Sequence, residues 1–569
     1  MQGKIDQKRV RRTSKGLIMN KLIYIFFLVL LFICAFDTSA QEPPKIVKHG
    51  NAFQLIVNDE PFLMRAGELG NSNASTKEYF EKNVVPNLLK QNINTALIPV
   101  YWDLIEPQEG KFDFSLVGDI IKISDANNLK IVFLWFGAWK NSMSCYVPSW
   151  VKKDVKRFPR AESKDGIPQE ILSPYAKENL DMDKKAFCKL LEFIKQNDKN
   201  QTVVMIQVEN EIAMLPNARD YSKTATSAWK STVPSVLMDY LRTHKNTLTD
   251  SIKKYWNGNL TGSWESVFGK SIYAEEIFTA WSYAVYTQEI AKAGKKIYNL
   301  PMYVNCALNR PGKKPGEYPS GGPLPHLIDI WKAGAPSIEM LSPDIYFGDF
   351  KKWTSAYYRT DNPFFVPEHQ YDATAGAKAL YAFGEYQGLG FSPFSAETKQ
   401  AEFMPPVLGV TIEKTEKKGS LTELPAAYNL IKCAEKYIIE ANGSDRMRGF
   451  LLDTINQRDT VTIGGYKIVA KHDYTLGWSA GARLPNWNTE GAILVNTALD
   501  EFVLIGSGVV LNFLDNGKQR VGILEIQEIA TDGSGRTIRY LNGDESHQGR
   551  HVRIPDGEWG IQKFKLYRY

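Results

Sequence analysis

A (β/α)8 barrel followed by a smaller all-β, sandwich-like region is the fold this sequence predicts. Three observations carry the prediction. Apolar strand-like runs alternate with amphipathic helical stretches between residues 62 and 440. Eight such runs can be counted, enough to close a parallel sheet on itself. After Asn442-Gly443 the pattern changes to short β-type runs separated by Gly464-Gly465, Asp515-Asn516-Gly517, Asp532-Gly533, Asn542-Gly543 and Asp556-Gly557, which are hairpin signals.

The first strand is expected over residues 62–67 and a helix over 79–91, where Phe80, Val84 and Leu88 share a face. Residues 94–101 form the second strand and 117–127 a helix carrying Val117, Ile120, Ile121 and Ile123. The third strand is 129–136, followed by a helix at 184–195. The fourth, 203–208, is apolar on both faces, as a strand buried between a lumen and a helix layer must be. A long helix at 274–295 leads to strands at 302–307, 338–345, 364–367 and 388–394, and a helix at 424–440 closes the series. About sixty residues separate the fourth strand from the helix at 274, a length that usually has a purpose. A helix over 237–255 within it is expected to lie over the barrel mouth and narrow it.

The ends differ from the body. Lys8, Arg9, Arg11, Arg12 and Lys15 precede an apolar run from Leu22 to Phe36, and Thr38-Ser39-Ala40 offers a small-residue cleavage site. Residues 1–40 therefore read as a signal peptide, 41–444 as the barrel and 445–569 as the accessory β region. Export to a periplasm or the exterior follows, without a stable membrane span. Cys34 follows Ile33, where a lipid-anchor site wants a small residue, so no anchor is expected. Residues 1–40 carry five of the chain's six net positive charges, and the remainder stands at +1. Nucleic-acid binding thereby loses its electrostatic support. Cys145, Cys188, Cys306 and Cys433 are far apart and lack metal-ligand spacing. With no phosphate loop, dinucleotide fingerprint or zinc helix motif, neither metal nor cofactor is expected. Oligomeric state and disulfide pairing stay open.

The chemistry is expected where apolar strands end in carboxylates. Val203-Val204-Met205-Ile206 runs into Gln207-Val208-Glu209-Asn210-Glu211, and Phe364-Phe365-Val366-Pro367 into Glu368. Charges at the carboxyl end of barrel strands are usually catalytic, because taking them out of water without a purpose is costly. Glycosidic bond cleavage needs two such groups, one holding a proton and one attacking or activating water. Glu68, Asp103, Glu106, Asp344, Glu385 and Glu397 are rival carboxylates. Glu106, in a turn before Pro107, reads as structural.

These motifs resemble the clan A glycoside hydrolases, and more narrowly family 35, the β-galactosidases. The likeness rests on Gln207-Val208-Glu209-Asn210-Glu211, on Asn94-Thr95 through Val100-Tyr101-Trp102, and on Glu106-Pro107, Gly110 and Phe112-Asp113-Phe114. It covers roughly residues 50–440. In place of the family's Cys-Ala-Glu segment stands Trp135-Phe136-Gly137-Ala138-Trp139-Lys140-Asn141, which with Pro367-Glu368-His369 resembles a bacterial subgroup with an added C-terminal β domain. The resemblance implies an exported, retaining exo-β-galactosidase acting on oligosaccharides or plant-type glycans. The alternatives are another β-glycosidase, such as a β-glucosidase or arabinosidase, and a non-catalytic glycan-binding barrel. By the resemblance Glu211 is the general acid/base, Glu368 the nucleophile, and Asn210 the partner of the sugar 2-hydroxyl. Tyr101, Tyr346, Glu209 and Trp135 are further candidate sugar contacts. Tyr346 is also expected to hydrogen-bond the nucleophile. Trp139 could stack on a sugar, Asn305 is a weaker candidate, and His369 a supporting partner. Strand alternation puts Glu209 and Glu211 on one face, so Asn210 can join Glu211 only if the strand ends or bulges there. Glu211 and Glu368 are expected to face each other at about 5–5.5 Å, the retaining spacing.

Overall fold

A computed structural model describes residues 42–397, 423–515 and 517–569. The signal-peptide reading and Cys34 lie outside the described residues. A closed eight-stranded barrel dominates the chain. Its strands are Met64–Glu68, Thr95–Tyr101, Lys130–Phe136, Val203–Gln207, Met302–Ala307, Met340–Ile345, Phe365–His369 and Gly390–Pro393. All neighbours are parallel, and Gly390 pairs with Met64 to close the ring.

Period-two alternation divides each strand between two apolar environments. In the third strand Val132, Leu134 and Phe136 fill the lumen, where Leu97, Val204, Tyr303 and Phe365 join them. Ile131, Phe133 and Trp135 face the helices. This is why the strands read as unbroken apolar runs. A three-stranded meander, Lys45–His49, Ala52–Val57 and Glu60–Phe62, precedes the barrel. Its Leu55 and Val57 pack into the lumen cluster from the strands' amino-terminal side.

The helices follow the sequence pattern with two differences. The expected helix at 79–91 begins as a turn, Lys77–Tyr79, widens to a π-turn, Phe80–Val84, and resumes as Val85–Lys90. Pro86 has no N–H for the regular ladder and its ring crowds the carbonyl four residues earlier, so the backbone widens there. The expected helix at 237–255 is instead two, Ser235–Thr243 and Asp250–Tyr255. The polar run His244-Lys245-Asn246-Thr247 breaks it, and Thr249 N–H donates to Asp329 at 2.6 Å. Nor do these helices form the expected cover. Leu237, Met238, Leu241 and Ile252 are buried in the main core, against the helix Ile328–Gly334 and the turn Pro325–Leu327 before it.

Beyond the helix Glu423–Ala441, antiparallel sheets of six and four strands stack over a core of Phe450, Leu494, Phe502, Leu511 and Phe564. In the hairpin joining Arg458–Ile463 to Tyr466–His472, Gly464 and Gly465 both take positive φ, 57° and 78°, as a two-residue primed turn requires. The six-stranded sheet also has an outer apolar face. Leu451, Ile493, Val503 and Ile561 on it merge with the main core around the helix Ala375–Glu385. A Cβ on Gly491 would lie 2.5 Å from the carbonyl oxygen of Ala377, so glycine is needed for this close approach.

Candidate active site

Four carboxyl groups converge at the carboxyl ends of the barrel strands. Glu68 ends the first strand, Glu211 follows the fourth, Asp344 lies in the sixth, and Glu368 lies beside it in register in the seventh. None is more than 5% exposed. One oxygen from each of Glu211, Asp344 and Glu368 lies within 4.8 Å of the other two. Fourth and seventh strands stand on roughly opposite sides of an eight-stranded barrel, so these side chains approach from both flanks of whatever occupies the mouth.

The backbone at the fourth strand's tip makes this possible. The strand ends at Gln207, and Glu209 and Glu211 both take the left-handed region, with φ of 62° and 45°. Two non-glycine residues there cost on the order of 1–3 kcal/mol each and are typical of functional sites. The twist sends Glu209 and Glu211 to opposite sides. Glu211 N–H donates to Asn305 Oδ1 at 2.8 Å, and Asn305 Nδ2 donates to Asp344 Oδ2 at 2.7 Å. Asn141, left-handed at φ 57°, donates its side-chain amide to Glu211. Lys140 Nζ donates to Asn210 Oδ1 at 2.7 Å. Asn210 Nδ2 is buried and has no partner among the described residues. Tyr346 donates to Glu368 Oε1, while Glu368 Oε2 and Asp344 Oδ1 have no hydrogen-bond partner among them.

Electrostatics separates the carboxyls. Burial, then the Glu368 charge, pushes Glu211 up to about 7 against the pull of Lys140. Asp344 and Glu68 are driven well above the carboxylate range, first by burial and then by Glu368. Glu368 is raised by burial alone. Lys140, Tyr346 and Glu68 all pull it back toward ionisation. The arrangement favours one anion, Glu368, beside groups that keep their protons.

Not every residue singled out in the sequence joins this pocket. Glu209 points to the helix side. Its Oε2 accepts from Trp139 N–H at 2.8 Å, and its carboxyl lies against that of Asp183. Trp135, whose Nε1 donates to Asp183 at 2.8 Å, is buried there too. The sugar-contact reading of Glu209 and Trp135 therefore gives way to a buried network between strand and helices. Gly137 makes room for it: a Cβ would come within 2.7 Å of both Trp135 Nε1 and Glu209 Oε1. Trp139 packs edge-on against Tyr283 and Tyr286 in the same layer rather than offering a sugar platform. Tyr101 is in the lumen, edge-on to Phe136 at 6.1 Å, with its hydroxyl buried. His369 packs on Phe350 and Phe391.

The rival carboxylates sort themselves. Glu106 binds Trp102 Nε1 and Gly110 N–H, both at 2.8 Å. Glu385 accepts from Gly449 N–H at 3.2 Å, against the β region. Glu397 accepts from Gly70 N–H at 2.9 Å and from Asn73. Asp103 is half-buried and raised by burial. Only Glu68 and Asp344 of that group join the pocket. The sequence reading missed roles for Lys140 and Asn141. The one available signal was that both lie a few residues past the end of the buried third strand, just beyond Gly137.

A second cluster of close ligand-type atoms, His472, Glu490 and Asp556, lies in the β region. His472 Nδ1 accepts from Tyr474 N–H at 3.1 Å and its Nε2 faces Asn488 O at 3.0 Å, so both ring nitrogens are spent on the protein. Among the described residues, no helix is long and apolar enough to cross a membrane.

A closed parallel barrel with paired buried carboxyls at opposing strand tips has the geometry of a glycosidase. Comparison with known proteins agrees: residues 78–268 match the glycoside hydrolase family 42 sequence family, described as beta-galactosidase. Over that stretch the chain is similar to β-galactosidases, and carbohydrate is the substrate class such a hydrolase implies. Residues 424–553 match a domain family of unknown function. A solved structure similar to this one is the β-galactosidase from the psychrophilic Marinomonas ef1, at 12% identity and a TM-score of 0.42. That likeness covers 66% of this chain and 60% of the other, less than two thirds of its length. No curated protein matches.

Proposed function

We propose that this chain is an exported, retaining exo-β-galactosidase of the family 35 kind, removing terminal β-galactosyl residues from oligosaccharides or plant-type glycans. The observation that carries the reading is the approach of Glu211 and Glu368 oxygens to within 4.8 Å across the barrel mouth. Carboxyl groups about 5–5.5 Å apart suit retention, and about 6.5–9.5 Å leaves room for the water of an inverting enzyme.

Glu368 attacks the anomeric carbon as the glycosidic C–O bond breaks, and Glu211 delivers its proton to the departing oxygen. A galactosyl ester on Glu368 results. Glu211, now ionised, takes a proton from water as that water attacks the anomeric carbon and displaces the Glu368 carboxylate, releasing galactose with its original configuration and restoring both residues. A carboxyl held up to about 7 keeps its proton near neutrality, as the first step needs. Tyr346 and Lys140 favour the ionised nucleophile. The Nδ2 of Asn210, without a partner among the described residues, can donate to the sugar 2-hydroxyl. The galactose preference rests on the resemblance and the family match. Export rests on the basic lead and apolar run of residues 1–40.

A panel of nitrophenyl glycosides with purified protein tests the substrate. Galactosides should be cleaved fastest, and a panel led by glucosides would overturn the galactosidase reading. Product NMR tests the mechanism, with β-galactose expected as the first-formed anomer and α-galactose overturning retention.

A further inference from the structure

Resting on the glycosidase reading, we propose that Lys140 is a positioning residue for the reaction: it fixes the side-chain amide of Asn210 and supplies a positive charge to the carboxyl cluster.

Lys140 is held before it acts. Its N–H donates to Ser144 O at 2.8 Å, and Asn141 N–H donates to Asn210 O at 3.3 Å. Lys140 and Asn210 thereby form a parallel bridge that extends the pairing of the third and fourth strands past their ends. The side chain is 4% exposed, and its ammonium lies 4.9 Å from the Phe136 ring centroid. Phe136 belongs to the lumen cluster.

An ammonium can only donate, so it can partner only the oxygen of an asparagine amide. The 2.7 Å bond from Lys140 to Asn210 Oδ1 therefore dictates which way that amide faces. Oδ1 is consumed, and Nδ2 is left buried without a partner among the described residues. A buried N–H2 in a substrate mouth is a donor reserved for a ligand oxygen. A neutral side chain at position 140 would let the amide rotate and offer an acceptor instead. Lys140 also bears electrostatically on Glu68, Glu211 and Glu368. Its positive charge favours the ionised form of all three carboxyls. Lys140 thus links two requirements, an oriented donor and an ionised nucleophile.

The test compares wild type, Lys140→Met and Lys140→Arg on nitrophenyl β-galactoside and its 2-deoxy analogue, across pH. Losing the cation should move the acidic limb of kcat/KM upward by on the order of one pH unit. Lys140→Arg keeps both charge and donor-only character and should hold the limb in place. The rate penalty for removing the sugar 2-hydroxyl should shrink severalfold in Lys140→Met, because the freed amide no longer presents its donor. A merely structural lysine would lower activity without changing either quantity. If the limb and the 2-deoxy penalty both match wild type in Lys140→Met, the proposal is overturned. Should Lys140→Met not fold, Lys140→Gln takes its place with the same two readouts. A wild type that cleaves no β-glycoside removes the glycosidase reading and this proposal together; an active wild type with unmoved variants removes this proposal alone.

Discussion

Two carboxyl pairs meet at the tip of the fourth strand, two residues apart in sequence and on opposite sides of the barrel wall. Outside, Glu209 lies against Asp183, with Trp139 N–H, Trp135 Nε1 and the Tyr286 hydroxyl supplying hydrogen bonds. Inside, Glu211 faces Glu368 and Asp344, and Glu368 Oε2, Asp344 Oδ1 and Asn210 Nδ2 go unpartnered among the described residues. Both pairs are buried, and burial is the leading cause of every upward shift in them. What separates them is how their polar atoms are used. The outer pair spends three of its four carboxyl oxygens on the fold, leaving Glu209 Oε1 to face Asp183. The inner pair keeps some for a ligand, which is where strain and desolvation collect in an active site.

The largest expected effect breaks the inner pair. Glu368→Ala should lower kcat/KM by roughly 10⁴-fold or more, the scale of losing a nucleophile. Azide should partly restore turnover and leave a glycosyl azide detectable by mass spectrometry. Near wild-type activity would shift attention to Glu68 and Asp344, the other carboxyls of the pocket. The melting temperature should hold or rise, since the substitution removes a desolvated charge.

Glu211→Ala should act more selectively. Substrates with poor leaving groups should lose about 10²–10⁴-fold, and activated aryl galactosides much less, because a general acid matters most when the departing oxygen needs its proton. Equal losses on both substrates would remove Glu211 from the acid role.

The contrast between the pairs also marks how far the sequence could be read. Barrel strands were legible to within about two residues because each packs apolar side chains on both faces, from the run Val203-Val204-Met205-Ile206 onward. The pocket glutamates were legible because a carboxylate after such a run has few structural uses. The side taken by Glu209 was not legible. Alternation groups it with Glu211, and only the left-handed backbone at both positions separates them. Nothing in residue order signals that twist. Lys140 and Asn141 were missed for the same reason, since a left-handed turn at Asn141 brings them back to the fourth strand. The helices of the long excursion were legible as helices, but their docking on the outer layer depends on tertiary partners such as Asp329.

Breaking the outer pair should reverse the pattern seen for Glu368. Glu209→Ala leaves Trp139 N–H and the Asp183 carboxyl short of a partner in a dry layer. An unsatisfied buried group of this kind costs about 1–3 kcal/mol. The shift should appear in urea unfolding, while kcat/KM of the folded protein changes less than about tenfold. Were activity to collapse with stability intact, Glu209 would belong to the chemistry after all.

The smallest expected effect concerns pH. Glu211 stands at about 7 in the folded chain against an ordinary 4.5, with burial first and Glu368 second as causes. Between those values the folded protein holds a proton that the unfolded chain has released. Raising pH through that window therefore favours the unfolded state, and the stabilising contribution of protonated Glu211, full below about 4.5, is lost by about 7. The same proton is the one the reaction consumes, so kcat/KM should fall as pH rises past about 7. Glu211→Gln separates the two consequences. The amide cannot ionise, so unfolding free energy should lose the part of its decline between about 4.5 and 7 that belongs to this residue. The alkaline limb of kcat/KM should vanish, measured on an activated aryl galactoside that tolerates loss of the acid. The outer pair gives the control, because Glu209→Ala should leave that limb where wild type has it. An alkaline limb that persists in Glu211→Gln would assign the working proton to another group of the pocket, with Asp344 the nearest.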